Sequence, residues 1–489
     1  MKVVFYEIKK KGWPFFGVEE DNFFTPMSIL CLSAYIKKHL PKIEIEIYDF
    51  NALNMDFKGF LSTLSDVDVL MLTNDFSLFA EEYESVAKKV KEKFPKVKII
   101  AGGCHFSATA EYSMRKLKFI DFIVKGEGEI PIVLLLKKFL NNDNDYEEIK
   151  GILYRKNGEI IINKGEYIIP NLDELPLPGY SLLPLKEYYK NNFWRGKLPY
   201  FHSRGCTKSC NFCYGWKQFS KNGRSCYRSK SASRCVDEIE TMVNEFNAEY
   251  LWFCDGTFNV DEKWEKKFCE EIIKRGIKIE FFAFMRLDYL KRDLDSGTLE
   301  LLVKAGLRDI WIGVERYDKS LLSKLGKENV VSYKVISEIH KRFPEVFIEI
   351  HLLYGLEYEN IKTTFNFFRH TYFIDYDTFS IHFIAPLEGT VLFDKIFPKL
   401  NMKRERLWKT GDYMTPVMAS KYLGRIELKI LYYILNALLL FRPLRFIKGL
   451  FSKYPVRRKR TRRLAYIVIG EFTYYLILDI INTWRKLKD

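Results

Sequence analysis

Two α/β domains in series, followed by a basic helical region, is the architecture this 489-residue sequence predicts. Three observations carry the expectation. Residues 1 to about 140 alternate apolar strand runs with amphipathic stretches, the alternation resumes for six units from Leu198, and after about 395 the pattern turns helical and cationic. A chain this long exceeds one ordinary core. Its 47% apolar content is that of a globular protein.

The first domain, expected over 1–145, contains the strand-like runs "KVVFYEI", "IEIEIYDF", "VDVLMLT" (67–73), "VKIIAGG" (97–103) and "FIDFIVKGEGE" (119–129). Between them lie the helical stretches "MSILCLSAYIKKHL" and "AEEYESVAKKVKEKF", with a short helix near 56–64. Apolar strands separated by amphipathic helices imply a doubly wound parallel sheet. Ligands of such sheets sit at the carboxyl ends of strands, where Thr73, Gly102, Gly103 and the turn Gly126–Glu129 fall. Residues 146–195 read as a hairpin turning on Asn157-Gly158, then an extended linker over a surface, because prolines at 170, 176, 178 and 184 can continue neither ladder nor helix.

Over 196–395 strands are expected near 199–204, 249–254, 277–284, 309–314, 346–354 and 378–384. Repeated βα units of this length predict a parallel barrel, whole or partial, with its chemistry on the loops after the strands. The loop after the first strand is "SRGCTKSCNFCYGW", which places Cys206, Cys210 and Cys213 close together. Structural zinc needs a fourth ligand, usually from a second x2-spaced pair, and Cys226, Cys235, Cys254 and Cys269 stand singly. An iron–sulfur cluster held by three cysteines leaves one iron open, the mark of a catalytic metal. The polar residues Lys208, Ser209 and Asn211 argue against three unrelated buried cysteines. An odd count of nine cysteines and an amino terminus that reads as a strand, not a signal peptide, imply a reducing cytoplasm.

This spacing, with Phe212 just before the third cysteine, resembles the radical S-adenosylmethionine superfamily. The resemblance implies a 4Fe-4S cluster on Cys206, Cys210 and Cys213, with S-adenosylmethionine chelating the open iron and yielding a 5′-deoxyadenosyl radical. Further segments resemble the family in order: "YRSKSASRCVDEIE", "WFCDGTFNVD", "FMRLDYL", "IWIGVERYDKSLLSKLGK" and "IAPLEGTVLFD". They imply that Asp255 and Gly256 lie by the methionine amino group, that Arg286 pairs with its carboxylate, that Gly313 and Glu315 meet the ribose, and that Pro386 and Leu387 meet the adenine. Arg316 stands where the family has Ser, and Glu357 and Asn360 depart from its fifth-strand pattern.

A doubly wound domain before the barrel is similar to that of the cobalamin-binding members. "KIIAGGCHFSATAEY" and "DFIVKGEGE" resemble their turns, which implies cobalamin near Thr73, Gly102, Gly103, His105, Gly126 and Glu127. No Asp-x-His-x-x-Gly motif supplies a lower cobalt ligand. His105 is a candidate ligand or a turn-stabilising residue.

The charge is concentrated at the carboxyl end, 396–489. From Lys421 onward there are 16 Lys and Arg against four acids, a net +12 of the chain's +15. The apolar runs 428–441 and 464–484 contain charges and fall short of clean spanning helices. Between them, residues 442–463 contain ten Lys and Arg and no acid, with Phe446, Leu450 and Phe451 interleaved. That composition fits an anionic membrane surface first, an ordinary helical subdomain with one basic face next, and nucleic acid last. The reading is a cytoplasmic enzyme, peripheral to the membrane, that activates a C–H bond of a lipid, terpenoid or porphyrin-like substrate. C-methylation with cobalamin leads, and ring closure or C–C bond formation, with or without cobalamin, is the alternative. The family implies an electron donor of ferredoxin or flavodoxin type. A cluster-bearing sensor is the reading from another class.

Overall fold

The computed structural model describes residues 1–8, 26–50, 52–53, 55–75, 77–191, 196–220, 226–327, 331–410, 412–440 and 442–466. The first sheet contains β1 (Lys2–Glu7), β2 (Glu44–Asp49), β3 (Val69–Thr73), β4 (Lys98–Gly102), β5 (Phe122–Val124), β6 (Ile152–Lys156) and β7 (Glu159–Ile162) in the order β2-β1-β3-β4-β5-β6-β7. β1 to β5 are parallel, and all five residues of β3 are buried because helices cover both faces. Strand order reverses between β1 and β3, and the ligand crevice of such a sheet opens there, beside Thr73 and Gly102.

The hairpin grouped above with the linker is the antiparallel edge of this sheet. Phe122, Ile123 and Val124 pair with Tyr154, Leu153 and Ile152. Nothing local in its sequence names a partner; the open edge of β5 supplies one. The proline-rich stretch is not laid over a surface either. Leu172, Leu175 and Tyr180 are buried, and the Tyr180 hydroxyl donates to the Pro199 carbonyl at 2.5 Å. Proline bars this segment from a ladder, while its apolar residues fill the seam between the two domains.

The second domain contains β8 (Lys197–Tyr200), β9 (Ser203–Arg204), β10 (Arg228–Ser229), β11 (Tyr250–Phe253), β12 (Glu280–Met285), β13 (Leu307–Glu315), β14 (Phe347–Tyr354) and β15 (Thr378–Phe383). Six of them form a parallel sheet ordered β15-β14-β13-β12-β11-β8, the expected partial barrel, and β9 and β10 form a small antiparallel pair at its rim. Asn360, one of the departures noted above, caps the helix Ile361–Tyr372 reciprocally with Thr363. Arg316, another, pairs with buried Glu359 at 3.1 Å.

Ion pairs bind the two domains. Arg204 reaches Glu127 at 3.1 Å and also Glu129, and Arg228 reaches Glu127. Burial pulls the Arg204 guanidinium pKa down, but the two carboxylates outweigh it and hold the group charged.

Helices Arg404–Thr410, Arg425–Leu440, Pro443–Leu450 and Pro455–Tyr466 make up the described carboxyl region. The last one closes the amino-terminal end of the barrel, where Val456 joins Tyr250, Trp252, Phe282 and Phe347. Arg460 reaches buried Asp309, and Arg457 reaches Asp377 at 2.8 Å. Several cations of the 442–463 segment are therefore spent on the protein itself, not displayed to a surface. The apolar run 464–484 lies, beyond Tyr466, outside the described residues. Among the described residues no helix is long and apolar enough to cross a membrane.

Candidate active site

The cysteine loop is fixed from both sides. Gly205 has φ +85°, and a Cβ there would overlap the Cys226 carbonyl oxygen, so only glycine lets the chain turn out of β9. The backbone N–H of Asn211 donates to the Leu325 carbonyl at 2.9 Å, its side-chain amide donates to the Lys324 carbonyl at 3.1 Å, and its own carbonyl accepts from Leu392 at 2.9 Å. Phe212 packs among Leu321, Leu325, Leu353 and Leu392. The Lys208 N–H donates to the Cys206 sulfur at 3.4 Å, and the Thr257 hydroxyl lies 4.0 Å from that sulfur.

Among the described residues no three His, Cys, Asp or Glu side chains close on one ion. Thiolates that each hold a different iron of a cluster need not do so, and this loop fits that group. Burial pushes the Cys210 thiol pKa up, while the cations Lys327 and Arg286 beside it draw the pKa down.

Of the residues expected around S-adenosylmethionine, Arg286 and Glu315 lie near Cys210, and Thr257, next to Gly256, lies near Cys206, although several side chains already have partners. Asp255 is buried and accepts from the Ser203 N–H and hydroxyl, both at 2.6 Å, and from the His202 N–H at 3.1 Å. Its carboxylate braces the chain entering the loop, so a ligand contact here falls to the Gly256–Thr257 backbone. Arg286 holds Asp288 with both arms of its fork, at 2.9 and 3.0 Å. A ligand carboxylate must compete with Asp288 or use the remaining donor. Glu315 has φ +61°, a left-handed conformation costly for a non-glycine residue and held by the bulge that shifts the register of β13 and β14. Lys327 donates to Glu315 at 2.9 Å and to the Gly313 carbonyl at 2.7 Å, fixing the carboxylate at the strand end. Pro386 is buried between Ala385 and Leu387.

The two domains share a cavity of about 460 Å³ beside the loop. The first domain contributes Ser77, Cys104 and His105, the loop Phe212 and Cys213, and the barrel Leu387 and His382; Trp408 and Tyr413 close it. His105 is buried; its Nδ1 lies 2.8 Å from the Ser77 hydroxyl, and its Nε2 has no hydrogen-bond partner. Burial pushes its pKa down to about 3, so the ring is neutral. Gly103, at φ +94°, lets the chain cross the Asn74 backbone, which a Cβ would approach to 2.7 Å. An unpartnered imidazole nitrogen at a cavity on the carboxyl ends of a doubly wound sheet fits a corrin-type cofactor. Thr73 is buried, with its carbonyl accepting from Tyr83. Gly126 donates to the Ser107 hydroxyl at 3.1 Å, and Glu127 is engaged by the interdomain arginines, so its side chain is a brace between domains.

Sequence reasoning missed Lys327, His382, Trp408 and Tyr413. Lys327 closes the quoted run "SKLGK", where a lysine after glycine was the one available signal. His382 and His351 stack inside the barrel with ring centroids 5.6 Å apart, the former pushed down to about 3 and the latter to about 4 by burial. Only the alternation of β14 and β15 places them together.

Residues 200–368 match the Radical SAM superfamily, and residues 18–136 match the B12 binding domain. The chain is 28% identical over 350 residues to the anaerobic magnesium-protoporphyrin IX monomethyl ester cyclase of Cereibacter sphaeroides, covering 71% of this chain and 55% of that one. It therefore spans about half the length of that relative. It is 26% identical over 452 residues to an uncharacterized methyltransferase of Pyrococcus horikoshii, covering 90% and 92%. Its fold is that of the cobalamin- and cluster-bound radical S-adenosylmethionine methyltransferase TsrM of Kitasatospora setae, with a TM-score of 0.68, 15% identity, and 96% and 99% coverage. The two domain matches establish the cofactors as a 4Fe-4S cluster, S-adenosylmethionine and cobalamin.

Proposed function

Because this chain belongs to the radical S-adenosylmethionine superfamily and carries a B12-binding domain, we propose that it is an enzyme that methylates an unreactive carbon of a hydrophobic small molecule, lipid or porphyrin-like. The observation that carries the reading is the shared cavity, which sets Cys213 and Phe212 of the cluster loop in one space with Cys104 and His105 of the first domain. When bound, the cluster supplies the electron that cleaves S-adenosylmethionine to a 5′-deoxyadenosyl radical, and cobalamin carries the methyl group.

The chain's own residues do the rest. Gly205 and Asn211 hold the loop open at its rim. Lys327 keeps Glu315 aimed at the ribose site, and Arg286 offers its remaining donor to the amino-acid end. Phe212, Leu387, Trp408 and Tyr413 line the cavity with apolar and aromatic surface that excludes water from a radical. His382 and His105, both neutral, offer imidazole nitrogens and no charge to a substrate there. With Arg445, Arg457 and Arg460 set aside as paired with carboxylates, the cations that remain in the 442–463 segment support attachment at the surface of an anionic membrane, where such a substrate would be found.

Ring closure or C–C bond formation is the second reading, favoured by the identity to the magnesium-protoporphyrin ester cyclase. Protein produced with hydroxocobalamin and purified anaerobically tests the choice. Corrin absorption retained in the near ultraviolet, and lost when His105 and Gly103 are replaced, is required by methylation and compatible with ring closure; passage of label from methyl-labelled S-adenosylmethionine to the corrin then favours methylation. A spectrum of iron–sulfur charge transfer alone overturns methylation.

A further inference from the structure

A second cavity, of about 800 Å³, opens at the amino-terminal end of the barrel, where Asp377 precedes β15 and the helix Lys334–Arg342 ends. All barrel strands run parallel, so this end lies opposite the cysteine loop. One wall is apolar, made by Leu439, Leu440, Phe446 and Leu464. The other carries Arg442, Arg445, Lys448, Lys453 and Arg457. Arg457 and Arg445 have carboxylate partners, in Asp377 at 2.8 Å and Asp375 at 2.5 Å. Among the described residues Arg442, Lys448 and Lys453 have none. The Arg442 guanidinium donates only to the carbonyls of Tyr372 and Ile374, the latter at 2.8 Å, and its buried Nη1 has no hydrogen-bond partner. A half-buried cation with an unsatisfied donor calls for an anion.

An apolar ridge leads away from the mouth of this cavity. Ile426, Ile430, Ile434 and Leu438 recur every four residues on one face of the helix Arg425–Leu440 and are each about half exposed; Ile447 and Phe451 lie beyond the mouth at 51% and 79%. That helix is ~24 Å long at 1.5 Å per residue. Monomeric soluble proteins rarely leave so long an apolar stripe bare. Around it, residues 425–466 contain twelve Lys and Arg and one acid, Glu427.

We propose that this cavity binds the head group of an anionic phospholipid through Arg442, Lys448 and Lys453, with the ridge seated among the acyl chains. This deepens the membrane part of the function proposed above and rests on it. It also moves the docking surface from the cationic segment as a whole to one pocket and one helix face. The helix is pinned to the protein on its other side, where the Met414 and Pro416 carbonyls accept from Lys429 at 2.7 Å and Arg425 at 3.0 Å, which leaves the ridge facing outward.

The test is flotation of the full-length, cluster-loaded protein with vesicles of phosphatidylcholine alone or with phosphatidylglycerol. The phosphatidylglycerol vesicles are expected to capture it. Arg442→Gln should weaken that capture by about tenfold, and Ile430→Asn with Ile434→Asn should abolish it, while iron content and the melting curve stay unchanged. Undiminished capture of Arg442→Gln overturns the pocket and leaves a membrane association standing. No capture of the wild-type protein by either vesicle overturns both. A thermal shift with dihexanoyl phosphatidylglycerol that Arg442→Gln loses supports the site. The same shift with inorganic phosphate alone shows a free-anion site and overturns the lipid. Conversion of a dimer to a monomer by the isoleucine changes, with capture intact, assigns the ridge to a second copy and overturns it as well.

Discussion

At the scale of single residues, the site depends on side chains held in costly states. Glu315 keeps a left-handed backbone at the bulge, and Lys327 fixes its carboxylate there by bonding both it and the Gly313 carbonyl. Lys327→Met should therefore raise the KM for S-adenosylmethionine about tenfold, roughly 1.4 kcal/mol, and leave cluster iron unchanged; an unaltered KM removes Lys327 from the site. His382 is kept neutral by burial, its folded pKa of about 3 lying below the unfolded value near 6.5. A histidine depressed in this way contributes stability that is full above pH 6.5 and lost as pH falls toward 3. Relative to His382→Gln, the wild-type protein should lose up to about 1.4 kcal/mol per pH unit over that range, read by denaturant titration at several pH values. A difference that does not vary with pH contradicts the burial. The cysteines were legible because their spacing has few competing explanations. Lys327 and His382 were not, since a lone lysine or histidine acquires meaning only when distant strands bring Glu315 or His351 beside it.

Elements carry the next set of consequences. The turn out of β9 exists only because Gly205 has no Cβ. Gly205→Ala should lower iron content sharply while the far-ultraviolet circular dichroism is kept, because the clash is with one carbonyl and not with the core. Full iron loading would show that the loop can reshape. Alternation of apolar and amphipathic runs located the main strands to within a few residues, since parallel strands buried on both faces have a plain sequence pattern. The pairing of β6 with β5 and the burial of the proline-rich stretch were not legible. Both depend on what lies across the seam, as with Tyr180 reaching Pro199, and no local periodicity encodes a partner. The cationic tail was legible only in part for a related reason: composition counts Arg457 and Arg460 as surface charge, while the fold spends them on Asp377 and Asp309.

For the whole molecule, the relation of the two domains is what makes one active site from two cofactor folds. Arg204, bridging Glu127 and Glu129, holds that relation from a buried position. Arg204→Met leaves Glu129 buried without its partner and should cost about 3 to 5 kcal/mol, seen as an earlier unfolding transition and faster proteolysis of the 166–184 seam. Unchanged unfolding would mean that the apolar seam alone holds the domains. The central claim is that the three-cysteine loop does radical chemistry on S-adenosylmethionine, and one measurement meets it directly. Cluster-reconstituted protein is mixed anaerobically with S-adenosylmethionine and dithionite, and 5′-deoxyadenosine is quantified. Time-dependent release that Cys210→Ala abolishes is the expected result. A fully iron-loaded wild-type protein that releases none under any reductant would contradict it and leave a cluster-bearing binding protein in its place.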